Sequence, residues 1–288
     1  MSESLVYNKV LMVQYDGTAF AGWQFQPACR TVQGVLAEAV TAMVHHPVEL
    51  FASSRTDAGV HARAMPVAFD TTRTIAAGNF LRGLNALLPP DVSVTGACEG
   101  PAGFRPREAS VAKTYVYQLQ TGPRRALRAR SSWWLRRQTL DVAAMQEAAR
   151  HFLGEHDYRA FRSVHCDSRS TARHIHAASV SGPDIDGVVS FEVTGNAFLR
   201  NMVRIMAGAL VAVGVGRRPP AWIAGMLASG QRDDAAQTAP PEGLTLYDVH
   251  FSGYPRIGKA DPGAGGLSDA TIRSIAAALH GAPAAEEV

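Results

Sequence analysis

Strand and helix signals follow one another in the order β-α-β-β-α-β through residues 9–98, and this order constrains the fold more than any other feature. Apolar patterning marks strands at 9–15, 48–52, 64–70 and 92–98. Val32, Val35, Leu36, Ala39, Val40 and Met43 recur at helical spacing within 31–45. A second helix, over 80–88, is ended by Pro89 and Pro90. That order predicts a ferredoxin-like module.

The second half repeats the pattern. A strand is expected at 131–136, a helix at 142–153, strands at 174–181 and 188–194, helices at 197–213 and 221–228, and a last strand at 246–251. Residues 112–120 read as an extra strand joining the two halves. The chain is therefore expected to be α+β. Two ferredoxin-like modules, residues 1–108 and 109–252, form an extended, mainly antiparallel sheet with helices on one side and a catalytic cleft between the modules. Beyond Gly253 the chain turns rich in glycine and proline, so 253–288 reads as an appendage. Ser268 would cap a short helix there, with Ile272, Ile275 and Leu279 on one face.

Composition removes several classes of function. Apolar residues make up 47% and charged residues 18%, as in a globular protein. The most apolar stretch, 206–215, is too short to span a bilayer and contains Gly208 and Gly214. Residues 1–9 show no leader pattern, so the cytoplasm is the expected location. Three widely spaced cysteines, Cys29, Cys98 and Cys166, make neither a disulfide framework nor a zinc set. His174 and His176 would share one face of a strand, but no third ligand is evident, and no metal is expected. No dinucleotide fingerprint or P-loop is present.

The net charge of +3 conceals a basic stretch. Arg105, Arg107, Lys113, Arg124, Arg125, Arg128, Arg130, Arg136 and Arg137 stand against one acid, Glu108, and Arg159, Arg162, Arg169 and Arg173 follow. Such a run is the footprint of a polyanion. Arg124, Arg125 and Arg128 are the candidates for contacts to an RNA backbone. Trp133 and Trp134 lie among the arginines, where one could stack on a base and the other fill the core.

Two segments carry candidate chemistry. In Ser-Ser-Arg-Thr-Asp-Ala-Gly-Val-His-Ala at 53–62, Asp57 lies between two expected strands, with Arg55 two residues before it and Gly59 two after. A carboxylate on a loop held by a sheet is a candidate reacting group. Asp-x-Gly is also ordinary hairpin chemistry. In the helix over 197–213, Phe198, Met202, Ile205, Met206, Ala209 and Val213 share a face. Arg200, Asn201 and Arg204 form its polar sector. A nearly all-apolar helix is mostly buried, so these residues are expected to face a cleft, and Gly208 would admit the close approach of a chain or ligand.

Five motifs then stand in order: Tyr-Asp-Gly-Thr-Ala-Phe-Ala-Gly-Trp-Gln at 15–24, Arg-Thr-Asp-Ala-Gly-Val-His-Ala at 55–62, Lys-Thr-Tyr-Val-Tyr at 113–117, Asn-Ala-Phe-Leu-Arg-Asn-Met-Val-Arg at 196–204 and Ala-Pro-Pro-Glu-Gly-Leu at 239–244. The chain resembles the tRNA pseudouridine synthase A family from about residue 7 to 252. The resemblance implies an isomerase that converts uridine to pseudouridine at positions 38, 39 and 40 of the tRNA anticodon stem-loop, working as a homodimer without a cofactor. It makes Asp57 the catalytic nucleophile and Tyr115 the residue against the target base. It makes Arg204 the partner of the aspartate, Arg55 the residue that fills the stack left by the flipped base, and Leu244 part of the pocket. Where the family usually has glycine before Arg-Thr-Asp, this chain has Ser54, which would be strained if that position needed a positive φ. Two rivals are an RNA-binding module without catalysis and a hydrolase using Cys166 with His165. The second is geometrically poor, because neighbours on a strand point to opposite faces.

Overall fold

The computed structural model describes residues 6–122, 130–164, 166, 168–234, 236–255 and 269–279. They fall into two compact units, one drawn from 1–111 and 248–288 and the other from 112–247. The first unit contains β1 (Tyr7–Tyr15), α1 (Val32–Val44), β2 (Phe51–Ala52), β3 (His61–Thr71), α2 (Ala77–Leu87), β4 (Val92–Gly100) and the short α3 (Pro106–Ala109). β1 lies between β4 and β3, antiparallel to both, and β2 pairs with the far side of β3. The order β4-β1-β3-β2 is that of a ferredoxin-like module.

Burial rather than capping holds α1 in place. The Thr31 hydroxyl accepts the Gly34 N–H at 3.2 Å, a cap worth about 1 kcal/mol. Val32, Leu36, Ala39, Val40 and Val44 are all buried along one stripe, and each large aliphatic side chain contributes about 1.5–3 kcal/mol. β2 is shorter than the expected 48–52. The Leu50 carbonyl accepts from the side-chain amide of Gln33 at 3.3 Å, and strand pairing begins only at Phe51.

The second unit contains β5 (Ala112–Gly122), β6 (Trp133–Arg136), α4 (Val142–Arg150), β7 (Gly154–Asp157), β8 (Ala172–Ser181), β9 (Val188–Gly195), α5 (Met202–Gly214), α6 (Trp222–Ser229) and the start of β10 (Leu244–His250). Its strands run β10-β5-β9-β8-β7. The β5–β9, β9–β8 and β8–β7 ladders are antiparallel. Each unit thus carries a mainly antiparallel sheet with packed helices, and the class is α+β as expected.

Three details correct the sequence reading. Residues 112–122 are not an extra joining strand. They form β5, the first strand of the second module, paired with β9 from Lys113 to Gln120. The 131–136 segment instead supplies β6, which pairs in parallel with the far end of β5 over four residues. β7, Gly-Glu-His-Asp, was not expected at all. It is an edge strand, and a polar sequence suits an edge but hides the apolar alternation that betrays a strand.

α5 begins at Met202, five residues later than the expected 197. The backbone before it is committed elsewhere: Asn196 donates its N–H to His174 O at 3.0 Å. The segment after Gly253, read as an appendage, carries α7 (Asp269–Leu279), which lies against β4 with Ile275 and Leu279 buried. No described helix is long and apolar enough to cross a membrane.

Candidate active site

In the first unit, Asp57 stands on the connection between β2 and β3. The Val60 N–H closes onto the Asp57 carbonyl at 3.2 Å. The turn is gripped from outside by residues 15–23. The Tyr15 hydroxyl and Thr56 Oγ1 are 2.7 Å apart in a buried hydrogen bond. Trp23 donates its N–H to Thr56 O at 3.1 Å, and Gly59 donates to Phe20 O at 3.3 Å. Gly17 also donates its N–H to His61 Nδ1 at 3.1 Å.

Two glycines make this grip possible. A β-carbon on Gly17 would lie 2.1 Å from Val60 O, and one on Gly22, whose φ is +98°, would lie 2.7 Å from Thr56 O. The motifs at 15–24 and 55–62 are therefore one structural piece. The grip leaves Asp57 half-buried and Arg55 exposed. Arg30 anchors the outer side of the segment. Its guanidinium lies 4.0 Å from the Phe20 ring centroid and donates to both oxygens of Asp91 at 2.7 and 2.9 Å. Ser54 lies outside the left-handed region: the described non-glycine residues with positive φ are Ala28, His45, Arg137 and Asn201. The serine thus introduces no strain of that kind.

In the second unit, β5 presents Tyr115 and Tyr117 on one face. Tyr115 is buried, and the Phe198 ring meets it edge-on with centroids 5.1 Å apart at 80°. Tyr117 donates its hydroxyl to Pro240 O at 2.7 Å. Burial pushes that phenol far above its ordinary pKa, with Glu242 adding to the shift and Arg204 opposing it, so it remains a neutral donor. Arg204, in the first turn of α5, donates Nε to Ala239 O at 2.7 Å and Nη1 to Asn201 Oδ1 at 2.9 Å. The segment carrying Ala239 and Pro240 crosses α5 at Gly208, the close approach that the glycine was expected to permit. It continues through Gly243, which abuts the Tyr117 ring, to the buried Leu244.

The sequence model described as tRNA pseudouridine synthase matches residues 11–106 and 148–252. The chain belongs to this family. It is 47% identical to tRNA pseudouridine synthase A of Geobacter sulfurreducens over 241 residues, covering 84% of this chain and 98% of that one. The tRNA pseudouridine synthase A of Geotalea uraniireducens is 44% identical over 241 residues, with the same coverage of both. That of Myxococcus xanthus is 42% identical over 245 residues, covering 85% of this chain and 92% of that one.

For this tRNA pseudouridine synthase family member, the structure places the expected site residues in two groups. Arg55 and Asp57 share one turn of the first unit. Tyr115, Arg204 and Leu244 belong to the second, where the 239–244 segment runs from Arg204 to Leu244. Arg124, Arg125 and Arg128 lie outside the described residues, as does His165 of the hydrolase reading. The basic stretch is partly spent on structure. Arg105 donates to Asp70 at 3.0 Å and stacks 3.8 Å from the Phe51 ring centroid. Arg173 donates to Ser168 Oγ and to the carbonyls of Ser170 and Ala172. Lys113 is buried. Trp133 packs edge-on against Tyr117, and Trp134 donates its indole N–H to Gly122 O at 3.3 Å. Tyr15, Thr56 and Asn201 hold site residues in place, yet sequence reasoning gave none of them such a role. The paired glycines at 17 and 22 were the signal for the first two.

Proposed function

We propose that this enzyme converts uridine to pseudouridine in tRNA, at positions 38, 39 and 40 of the anticodon stem-loop. It does so as a cytoplasmic homodimer that needs no cofactor. The reaction breaks the N-glycosidic bond, rotates the uracil and rejoins it to the ribose at C5, so no group is lost and no redox change occurs. The observation that carries the reading is Asp57, set half-buried on a turn gripped by residues 15–23 in a chain of this family.

Asp57 acts as an ionised carboxylate, either as the nucleophile at C1′ or as the base of a glycal route. Arg204 is assigned as its cationic partner, and a guanidinium suits that role because it stays charged when desolvated and binds a carboxylate through a planar fork. Tyr115 gives the uracil an aromatic face and a hydroxyl that can help remove the C5 proton. Extruding the target base costs a few kcal/mol, and Arg55 offsets part of this by entering the vacated stack. Leu244 lines the pocket. Arg124, Arg125 and Arg128 contact the RNA backbone.

Release of tritium from tRNA carrying 5-tritiated uridine tests the reading. Wild type should release it. Asp57→Asn should release none and still bind tRNA within a few-fold, because the amide keeps the shape but can neither form a glycosyl ester nor act as a base. Appreciable release by the purified Asn variant, free of host synthase, would overturn the assignment. Tight tRNA binding by wild type without any release would identify an RNA-binding module instead.

A further inference from the structure

α5 begins with an asparagine that does not cap it. An N-cap asparagine ordinarily turns its side-chain oxygen onto an N–H of the first helical turn. Asn201 makes no such bond. Its backbone is left-handed, with φ 62° and ψ 3°, a region that asparagine enters more readily than most residues but still rarely. Its Oδ1 instead accepts from Arg204 Nη1 at 2.9 Å, while Ala239 O accepts from Nε at 2.7 Å. Acceptors on two different nitrogens of one planar group fix both its place and its rotation.

The location of Arg204 makes such support necessary. It is the third residue of α5, where the positive end of the helix dipole disfavours a cation. The identity of residue 201 is also informative. Aspartate caps helices as well as asparagine does, and a carboxylate would bind the guanidinium more strongly than an amide. It would also cancel the charge that the site needs. An amide orients the guanidinium and leaves its charge intact.

We propose that Asn201 is a neutral positioning residue that holds the Arg204 guanidinium in its working orientation. The inference rests on the reading of Arg204 given above. Asn201→Gly tests it, because glycine accepts the left-handed backbone without strain and removes only the amide. Asn201→Asp keeps the acceptor and adds a charge. Single-turnover isomerisation of tRNA is measured beside tRNA affinity and urea stability, with Arg204→Lys as reference. The Gly variant should keep its stability and bind tRNA within a few-fold, yet turn over about 10- to 100-fold more slowly, the scale expected when a catalytic group is misplaced. The Asp variant should be slow as well. A wild-type rate in either Asn201 variant, beside a crippled Arg204→Lys, overturns the inference alone. A loss confined to tRNA affinity also overturns it. A wild-type rate in Arg204→Lys removes the reading of Arg204 and the inference with it.

Discussion

Replacing Gly208 with alanine would test how the second unit holds Arg204. The new β-carbon would lie 1.9 Å from Gln237 O, whereas carbon and carbonyl oxygen normally approach no closer than about 3.3 Å. That oxygen is backbone, so the crossing segment must retreat by about 1.4 Å. The same segment carries the acceptors of Arg204 Nε and of the Tyr117 hydroxyl, both at 2.7 Å. A retreat of that size takes both contacts past about 3.5 Å, where they cease to be hydrogen bonds. The charged bond contributes about 1.5–3 kcal/mol and the neutral one about 0.5–1.5 kcal/mol. Alanine returns about 1 kcal/mol through helix propensity. The net expectation is a loss of about 2 kcal/mol in urea unfolding, together with slower isomerisation because Arg204 loses the carbonyl that holds its Nε. A Gly208→Ala protein with wild-type turnover that is also more stable, as helix propensity alone requires, would refute the reasoning.

Other expectations follow from the same geometry. Tyr15→Phe and Thr56→Val should each destabilise by about 1–2 kcal/mol, since each leaves a buried hydroxyl without this partner, whereas the double variant should recover much of the loss; strictly additive effects in the double-mutant cycle would show that the 2.7 Å contact carries no energy. Tyr115→Phe keeps the aromatic face and should slow turnover by roughly 10²–10⁴-fold if the hydroxyl helps remove the C5 proton; single-turnover kinetics beside Tyr115→Leu decides, and full activity in both would remove Tyr115 from the site. The hydrogen bond from Arg30 holds the Asp91 carboxyl below the ordinary carboxylate range. Its contribution to stability is therefore complete above about pH 4 and is lost as the pH falls through the depressed pKa. Asp91→Asn should flatten that part of the acid-unfolding curve, and an unchanged curve would place the acid sensitivity elsewhere.

Much of this protein was legible in the sequence because the relevant signals are local. Helix α1 shows its apolar spacing within one short stretch, from Val32 to Met43, and Val32, Leu36, Ala39 and Val40 of that set are buried. The order of elements in the first module is readable for the same reason. Asp57 stands out because a carboxylate between two strands is visible without knowing what surrounds it. The signal failed where neighbours decide. β7 is polar because it is an edge, and α5 starts late because the backbones of Asn196 and Arg200 bond to His174 and Ser163. β5 and β6 could not be ranked, since a strand's position in a sheet depends on partners far away along the chain.

The sequence by itself determined the class of fold, the family and the candidate carboxylate, because motif order, apolar period and residue chemistry are properties of the chain. Only the tertiary structure decided what grips each candidate. Tyr15 meets Thr56 across 41 residues, and Arg204 meets Ala239 across 35. Hydrogen bonds act over about 3 Å, so their pairing depends on which backbones the fold brings together. Gly17, Gly22 and Gly208 leave room for those approaches, but a glycine does not name the backbone that comes to lie against it.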